Sequence, residues 1–241
     1  MCDDCGCALP PGGTAQAYSP SPRTDAVPLL RRLLEGNDAQ ARHNRRHFDA
    51  HGVLAVNLMS SPGSGKTALL EATIDALRGE YRIGVIEGDL ETENDAARIR
   101  ARGAPARQIT TGTACHLDAA MVHRALHGFP LHDLDLLFIE NVGNLVCPAS
   151  FDLGQHCDVV LLSVTEGDDK PAKYPVMFRA ADLLLLTKSD LLDVLDDFDA
   201  RRAESHLREL ASAAPVFALS ARKSLGMQPW LDWLRERLEA R

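Results

Sequence analysis

The most specific chemical pattern in the sequence is a run of small residues that ends in lysine and threonine. It reads SSPGSGKT at residues 60–67, follows the apolar stretch Val53–Met59 and runs into the apolar start of a predicted helix. Small residues let backbone N–H groups turn towards phosphate oxygens, and the helix N-terminus adds the positive end of its dipole. This strand–loop–helix pattern predicts a phosphate-binding P-loop, although Ser60 replaces the usual first glycine. The candidate binding residues are Gly63, Ser64, Gly65, Lys66, Thr67 and Ala68.

Two acidic segments follow predicted strands and could complete the phosphate site. The segment LLFIENVG at residues 136–143 resembles the switch element of GTPases, with Glu140 in place of the usual aspartate. Gly143 could then donate its N–H to the γ-phosphate. The segment EGDLETEND at residues 87–95 offers Asp89, with a solvated acidic loop as the alternative for Glu91 and Glu93 and, less strongly, for Asp89. We expect Mg²⁺ to be held by Thr67, Asp89 and Glu140, and catalysis to depend on Lys66, Asp89 and Glu140.

A third pattern points to recognition of a guanine base. The predicted strand at residues 183–186 ends in Thr187-Lys188-Ser189-Asp190, which resembles the Asn-Lys-x-Asp motif with Thr187 in place of asparagine. The Asp190 carboxylate can accept hydrogen bonds from N1–H and the 2-amino group of guanine, and adenine lacks that pair of donors. The tripeptide Ser220-Ala221-Arg222 resembles the loop that approaches guanine O6. These motifs favour GTP over ATP.

Lys170 is a further candidate for nucleotide binding, because the chain has only five lysines and two of them fall in the nucleotide motifs. It lies with Lys173 in a loop after another predicted strand. The alternative, that both are ordinary surface lysines, stays open at this point.

Cysteines supply a second kind of chemistry. Cys2, Cys5 and Cys7 place three thiols within six residues, and close spacing lets one ion collect all three. With the α-amine of Cys2 freed by removal of Met1, the set fits square-planar Ni²⁺ or tetrahedral Zn²⁺. Clustered cysteines in a reducing compartment are more often metal ligands than disulfides.

A second candidate metal set comprises Cys115, His116 and Cys147. All three follow predicted strands at the edge of the sheet that would also bind the nucleotide. Thiolate and imidazole are ligands for Zn²⁺ or Ni²⁺. From spacing alone, buried structural cysteines are an equal alternative for this pair of thiols. Cys157, at the start of a predicted strand, is expected in the core.

Three further histidines, His43, His47 and His51, recur every fourth residue and would share one side of a helix. Chance placement on a solvent-facing side explains this spacing equally well. Arg45 and Arg46 would also repel a cation, so we expect no metal at these three histidines.

The elements that must position these residues alternate between short apolar runs and amphipathic stretches, which indicates a parallel sheet between layers of helices. We expect a three-layer α/β P-loop GTPase domain with a mainly parallel sheet at 51–241. A leading helix at 29–50 and a flexible cysteine-bearing tail with a Pro/Gly-rich linker at 1–28 precede it. The predicted strands are Val53–Met59, Arg82–Glu87, Arg107–Thr110, Leu134–Glu140, Asp158–Val164, Asp182–Thr187 and Val216–Leu219.

Composition narrows the class of protein. The net charge of −8 argues against a nucleic-acid-binding protein, and no apolar run is long enough to cross a membrane. No secretory signal is visible, so we expect a cytoplasmic protein. A final helix near Gly226–Arg241 would carry Trp230, Trp233 and Leu234 into the core.

Taken together, these motifs resemble the hydrogenase nickel-incorporation (maturation) GTPases, a family of SIMIBI-class P-loop GTPases. The resemblance covers nearly the whole chain, from the cysteines at residues 2–7 through SSPGSGKT, EGDLETEND and CHLD to ENVGNLVCP and TEGDDKP. It implies slow intrinsic GTP hydrolysis with Mg²⁺, a homodimer favoured by GTP, and nickel at Cys2, Cys5 and Cys7. It also implies nickel or zinc at Cys115, His116 and Cys147.

The resemblance further implies delivery of nickel to a [NiFe]-hydrogenase large-subunit precursor, together with other maturation proteins. Two alternatives stay open. One is the sister family of urease-maturation GTPases, against which the N-terminal cysteines argue. The other is a metal-storage protein with a vestigial nucleotide site, against which the intact Lys66, Thr67 and Asp190 argue.

Overall fold

The computed structural model of the chain describes residues 26–89, 93–112 and 114–241. The chain divides into a first unit at residues 1–33 and a second at residues 34–241. The described part of the first unit is the beginning of helix α1. The second unit holds the sheet and the remaining helices.

Within the described residues the sheet has seven strands in the order β3-β2-β4-β1-β5-β6-β7, and each of these strand pairings is parallel. Every predicted strand is present, with ends displaced by no more than two residues. The strands are β1 Leu54–Ser60, β2 Ile83–Asp89, β3 Ala106–Thr110, β4 Leu136–Glu140, β5 Cys157–Ser163, β6 Leu183–Thr187 and β7 Val216–Ala218.

Helices lie on both faces of the sheet, so the predicted three-layer α/β fold is confirmed. They are α1 Ala26–Ala50, α2 Lys66–Ala76, α3 Asn94–Ala101, α4 Ala119–Leu126, α5 Lys170–Lys173, α6 Pro175–Ala180, α7 Ala200–Glu209 and α8 Met227–Glu239. Among the described residues, none of these helices combines the length and apolarity needed to cross a membrane.

The four consecutive leucines of β6 show why the strands read as unbroken apolar runs. Leu183 and Leu185 belong to a core cluster that includes Trp230 of α8, whereas Leu184 and Leu186 belong to a second cluster with Phe178. Side chains alternate between the two faces of a strand, so a strand covered on both faces needs apolar residues at every position.

The last helix packs as predicted. Trp230, Trp233 and Leu234 are buried, and the indole N–H of Trp230 donates to Thr73 Oγ1 at 2.8 Å. The indole of Trp230 is therefore buried with its N–H group hydrogen-bonded. Because Thr73 is on α2, this contact also fixes the helix that follows the predicted P-loop.

The strand order explains where a ligand can enter. Strands β2, β3 and β4 lie on one side of β1, and strands β5, β6 and β7 lie on the other side. The strand order therefore reverses its direction at β1. Crevices at the carboxyl ends of strands next to such a point are the usual ligand sites of open α/β sheets. The loop after β1 is residues 61–65, which is the predicted P-loop.

Candidate functional site

The P-loop is shaped by two glycines. Gly63 and Gly65 have φ of 75° and 95°, a left-handed conformation that glycine adopts without steric cost. Gly65 caps helix α2 and has no side chain to accept hydrogen bonds from the first turn. The N–H groups at the start of α2 are therefore available to an anion.

Lys66 reaches back across this loop. Its ammonium donates to Ser60 Oγ at 3.0 Å, and its side chain is largely buried. Ser60 in turn donates to the carbonyl oxygen of Ser61 at 2.7 Å. The serine that departs from the usual motif thus supplies an oxygen that holds the lysine over the cradle.

A cavity of about 370 Å³ adjoins the loop and contains the predicted magnesium residues. Thr67 Oγ1 donates to Glu140 Oε1 at 3.1 Å, and Asp89 also lines the cavity. The second carboxylate oxygens of Glu140 and of Glu87 are buried without a hydrogen-bond partner among the described residues. Carboxylate and hydroxyl oxygens are the donors that Mg²⁺ prefers, so the residues present fit this ion.

The electrostatics of the cavity agree with a cation requirement. Burial, and next the neighbouring Glu140, raise the pKa of Glu87 to about 8. Burial raises the pKa of Glu140 to about 7, against the opposing effect of Lys66. Two carboxyl groups that resist ionisation in close proximity would both be stabilised as anions by a divalent cation.

The loop after β4 approaches the P-loop closely. A Cβ atom on Gly143 would lie 2.8 Å from Cα of Pro62, which is nearer than real contacts of this kind. The buried Asn141 joins the same loop to other elements, since its amide donates to Asn57 Oδ1 at 3.2 Å and its oxygen accepts the backbone N–H of Leu117 at 3.1 Å. Position 143 thus requires glycine for the two loops to meet.

A larger cavity of about 840 Å³ contains the predicted base-binding residues. Thr187, Lys188 and Asp190 come from the end of β6 and the loop after it, and the tripeptide Ser220-Ala221-Arg222 follows β7. Thr187 Oγ1 donates to the carbonyl oxygen of Ser64 at 2.7 Å. This bond joins the base loop to the P-loop, so the threonine preserves a connection between the two motifs.

The two cavities share Gly65 and Ala68 of the P-loop. A nucleotide can therefore lie across both, with its base beside Asp190 and its phosphates at the start of α2. That arrangement defines the class as P-loop nucleotide-binding proteins with the GTPase fold.

The second predicted metal set comes together at the same edge of the sheet. The ligand atoms of Cys115, His116 and Cys147 lie within 4.8 Å of one another, and the two Sγ atoms are 3.1 Å apart. The His116 ring stacks on Phe151 at 4.0 Å between centroids. Cys115 is exposed and Cys147 partly so, which makes the alternative of two buried structural cysteines wrong.

Other candidates have different surroundings. Cys157 is buried in the core as predicted, and burial raises the pKa of its thiol to about 11. The Lys170 ammonium lies 5.4 Å from the centre of the Tyr174 ring, and neither cavity includes it. The N-terminal candidates Cys2, Cys5 and Cys7 lie outside the described residues.

Two acidic residues of the site escaped the sequence analysis. Glu87 lies in β2 and is almost completely buried beside the magnesium residues. Glu166 accepts a hydrogen bond from Ser64 Oγ at 2.6 Å, so it also braces the P-loop. An acidic residue inside an apolar strand was the available signal for Glu87. The contact of Glu166 joins residues 102 positions apart and had no local signal.

Comparison with known proteins identifies the family. The model for the CobW/HypB/UreG nucleotide-binding domain matches residues 54–218, and this chain belongs to that family. The hydrogenase maturation factor HypB of Azotobacter vinelandii is 51% identical over 236 residues, which cover 95% of this chain and 77% of that protein. The corresponding factor of Escherichia coli K12 is 53% identical over 202 residues, covering 84% and 69%.

A solved structure extends the similarity to three dimensions. The crystal structure of HypB from Helicobacter pylori in complex with nickel is 41% identical to this chain. It superposes with a TM-score of 0.81, covering 85% of this chain and 96% of that one.

Proposed function

We propose that this chain is a GTP-hydrolysing metallochaperone that carries Ni²⁺ to the precursor of a [NiFe]-hydrogenase large subunit. The observation that carries the proposal is the position of Cys115, His116 and Cys147 at the nucleotide edge of the sheet. Cys147 follows Gly143 by four residues, and Gly143 touches the P-loop. The nickel-bound relative and the hydrogenase maturation factors among the similar proteins support the same role.

Different residues of the nucleotide site have different roles in GTP binding and hydrolysis. Lys66 and the first N–H groups of α2 bind the β- and γ-phosphates, while Asp190 selects guanine. Asp89 orients the water that attacks the γ-phosphorus, and the bond to the β–γ bridging oxygen breaks to leave GDP and phosphate. When bound by Thr67, Asp89 and Glu140, Mg²⁺ supplies positive charge to the phosphate oxygens.

The cargo metal is held by thiolates and imidazole. In this proposal Cys115, His116 and Cys147 bind Ni²⁺, with Zn²⁺ as a competitor for the same donors. Cys2, Cys5 and Cys7 form a separate nickel site, and GTP favours a homodimer. Transfer to the client occurs in the cytoplasm.

The test is transfer of radioactive nickel from the loaded protein to a nickel-free large-subunit precursor. We expect GTP to promote transfer more than a non-hydrolysable analogue does. Replacement of Cys115 and Cys147 by serine should abolish this nucleotide-dependent transfer. The matched thiol control is Cys157→Ala, since Cys157 is buried in the core and is not among the proposed metal ligands.

A hydrolysis-deficient variant separates the two activities. Lys66→Ala should abolish GTP hydrolysis while leaving nickel binding at Cys2, Cys5 and Cys7 intact. Transfer that proceeds equally with GTP, with the analogue and with Lys66→Ala would contradict GTP-dependent delivery.

A further inference from the structure

A group of histidines lies where helices α1 and α4 pack on one face of the sheet. His43 and His47 are one turn apart on α1, and His123 projects from α4. One ligating nitrogen from each of the three lies within 4.8 Å of the others. The regular spacing along α1 shows only two members of this group, because the third comes from a different helix 76 residues beyond His47.

Ring contacts show that the imidazoles form a continuous group. The ring centroids of His43 and His47 are 4.8 Å apart, and those of His43 and His123 are 5.0 Å apart. His127, the residue that follows the last residue of α4, has its ring 4.8 Å from that of His123. Three imidazoles from α1 and α4 thus lie together, and a fourth, just after α4, contacts one of them.

The backbone beneath these histidines is firmly held. Asn44, next to His43, is fully buried and donates to the carbonyl oxygens of Ala119 at 2.8 Å and Leu153 at 3.0 Å. Phe48, next to His47, is fully buried in the cluster that includes Val122 of α4. The two helices therefore present their histidines at a fixed separation, as a preorganised ligand set requires.

Charge does not exclude a cation here. Arg45 donates its Nε–H to the carbonyl oxygen of Gly154 at 2.7 Å, which holds its guanidinium at that loop. Burial and next His43 lower the pKa of His47, to which the exposed Arg46 contributes least, and burial and next His127 lower the pKa of His123. Nδ1 of His123 is buried without a hydrogen-bond partner among the described residues.

We propose that His43, His47 and His123 form a separate binding site for a divalent transition-metal ion of the nickel and zinc class, with His127 as a fourth ligand. Imidazole is a ligand for both ions, and metal–nitrogen bonds are about 2.0–2.1 Å long. The three nitrogens now lie within 4.8 Å of one another, and small side-chain rotations would let one ion bind all three at that bond length. The site shares no residue with Cys115, His116 and Cys147 and does not depend on the proposed delivery function.

The experiment uses the full chain with every proposed thiol ligand replaced by serine, namely Cys2, Cys5, Cys7, Cys115 and Cys147. Zn²⁺ and Ni²⁺ are titrated separately by calorimetry, and Co²⁺ is added as a spectroscopic probe of nitrogen coordination. His43→Gln and His123→Gln are made in this background. His132→Gln is the matched control, because His132 is exposed and lies beside Asp133, outside the histidine group.

We expect this five-serine variant to bind one equivalent of at least one of the two ions at this site. Loss of His43 or His123 should weaken binding by more than the roughly 10- to 100-fold that loss of an outer-shell partner costs. His132→Gln should bind normally, and GTP binding by each variant shows that it is folded. The proposal would be overturned if the five-serine variant bound neither ion. It would also be overturned if the folded His43→Gln and His123→Gln variants bound the ion as tightly as the five-serine variant does.

Discussion

Thr187 Oγ1 donates a hydrogen bond to the carbonyl oxygen of Ser64, and Ser60 Oγ accepts a hydrogen bond from the Lys66 ammonium. Both residues depart from the usual motifs, yet each makes a contact that supports the nucleotide site. Net contributions of such neutral hydrogen bonds are about 0.5–1.5 kcal/mol, and those to charged groups are larger. Departures of this kind are compatible with an intact site because a hydroxyl group keeps the required donor or acceptor.

The base preference should depend on Asp190. Asp190→Asn should weaken GTP binding by about 1.5–3 kcal/mol, the typical value of hydrogen bonds to a charged group. The amide can instead donate to the C2 carbonyl of xanthine, so binding of XTP should improve. Competition between fluorescent GTP and unlabelled nucleotides measures both changes.

Asp193→Asn is the matched control for that experiment, because Asp193 is exposed and close to Asp190 in sequence. It should leave both affinities unchanged. Equal competition by ATP and GTP in the unmodified protein would show that Asp190 does not select guanine.

Glu87 should make stability depend on pH in the nucleotide- and metal-free protein. Its pKa is about 8 when folded against an ordinary value of 4.5, so the folded state retains a proton that the unfolded chain releases between these values. The contribution of this proton to the free energy of unfolding is therefore fully present below pH 4.5 and is lost by about pH 8. Each unit of pKa difference corresponds to about 1.4 kcal/mol.

Glu87→Gln removes this ionisation, so the free energy of unfolding should fall less steeply with rising pH. Near pH 8 the variant should be more stable than the unmodified protein. Urea denaturation between pH 5 and 9 measures the slope, with the exposed Glu236→Gln as control. Superimposable pH profiles for Glu87→Gln and the unmodified protein would exclude a buried proton on Glu87.

At the scale of elements, the parallel strands were the most predictable part of the molecule. The leucines of β6 read as one apolar run because both faces of that strand are covered. The carboxyl-edge rule also brought the loops after β3 and β4 to the same edge, which places Cys115 near Cys147. It could not give the 3.1 Å between their sulfur atoms, since that depends on loop conformations.

The packing of one helix against another could not be predicted from the amino-acid sequence. His123 joins His43 because α1 and α4 meet on the sheet, and no pattern within either helix encodes that meeting. Glu166 reaches Ser64 because the loops that carry them follow the paired parallel strands β5 and β1. Local patterns identified the strands and motifs, whereas contacts between distant elements required the folded structure.

The close approach of the loop after β4 to the P-loop gives a prediction for Gly143. In Gly143→Ala the new methyl group would meet the backbone of Pro62, and overpacking of this kind costs about 1–3 kcal/mol. We expect slower GTP hydrolysis and weaker binding of a non-hydrolysable GTP analogue, with GDP binding less affected. Single-turnover hydrolysis and nucleotide titration measure these effects.

Gly36→Ala is the matched control, because Gly36 lies within α1 and nothing is within 4 Å of the position of its Cβ. It should hydrolyse GTP at the normal rate. Equal losses of GDP and analogue binding in Gly143→Ala would indicate general damage to the P-loop instead of a specific effect at the γ-phosphate.

At the scale of the whole molecule, hydrogen bonds connect the nucleotide loop to the candidate metal site. Asn141 accepts the N–H of Leu117, and Asn144 donates to the carbonyl oxygen of Cys115 at 3.2 Å. The loop that carries Gly143 and Cys147 is thus tied to the loop that carries Cys115. A rearrangement of one loop on binding γ-phosphate would displace ligands in the other.

GTP should therefore control metal affinity at Cys115, His116 and Cys147. Couplings between two sites are typically about 1–3 kcal/mol, or roughly 5- to 150-fold in affinity, and metal must change nucleotide affinity by the same factor. The measurement is titration of Ni²⁺ and Zn²⁺ into a Cys2, Cys5 and Cys7 to serine variant loaded with GDP or a non-hydrolysable GTP analogue. We expect different affinities in the two states, and a reciprocal shift in nucleotide affinity with metal bound. If the GDP-loaded and analogue-loaded proteins bound each ion with the same affinity, Cys115, His116 and Cys147 would form a metal site that does not respond to nucleotide. That result would remove the basis for GTP-controlled release.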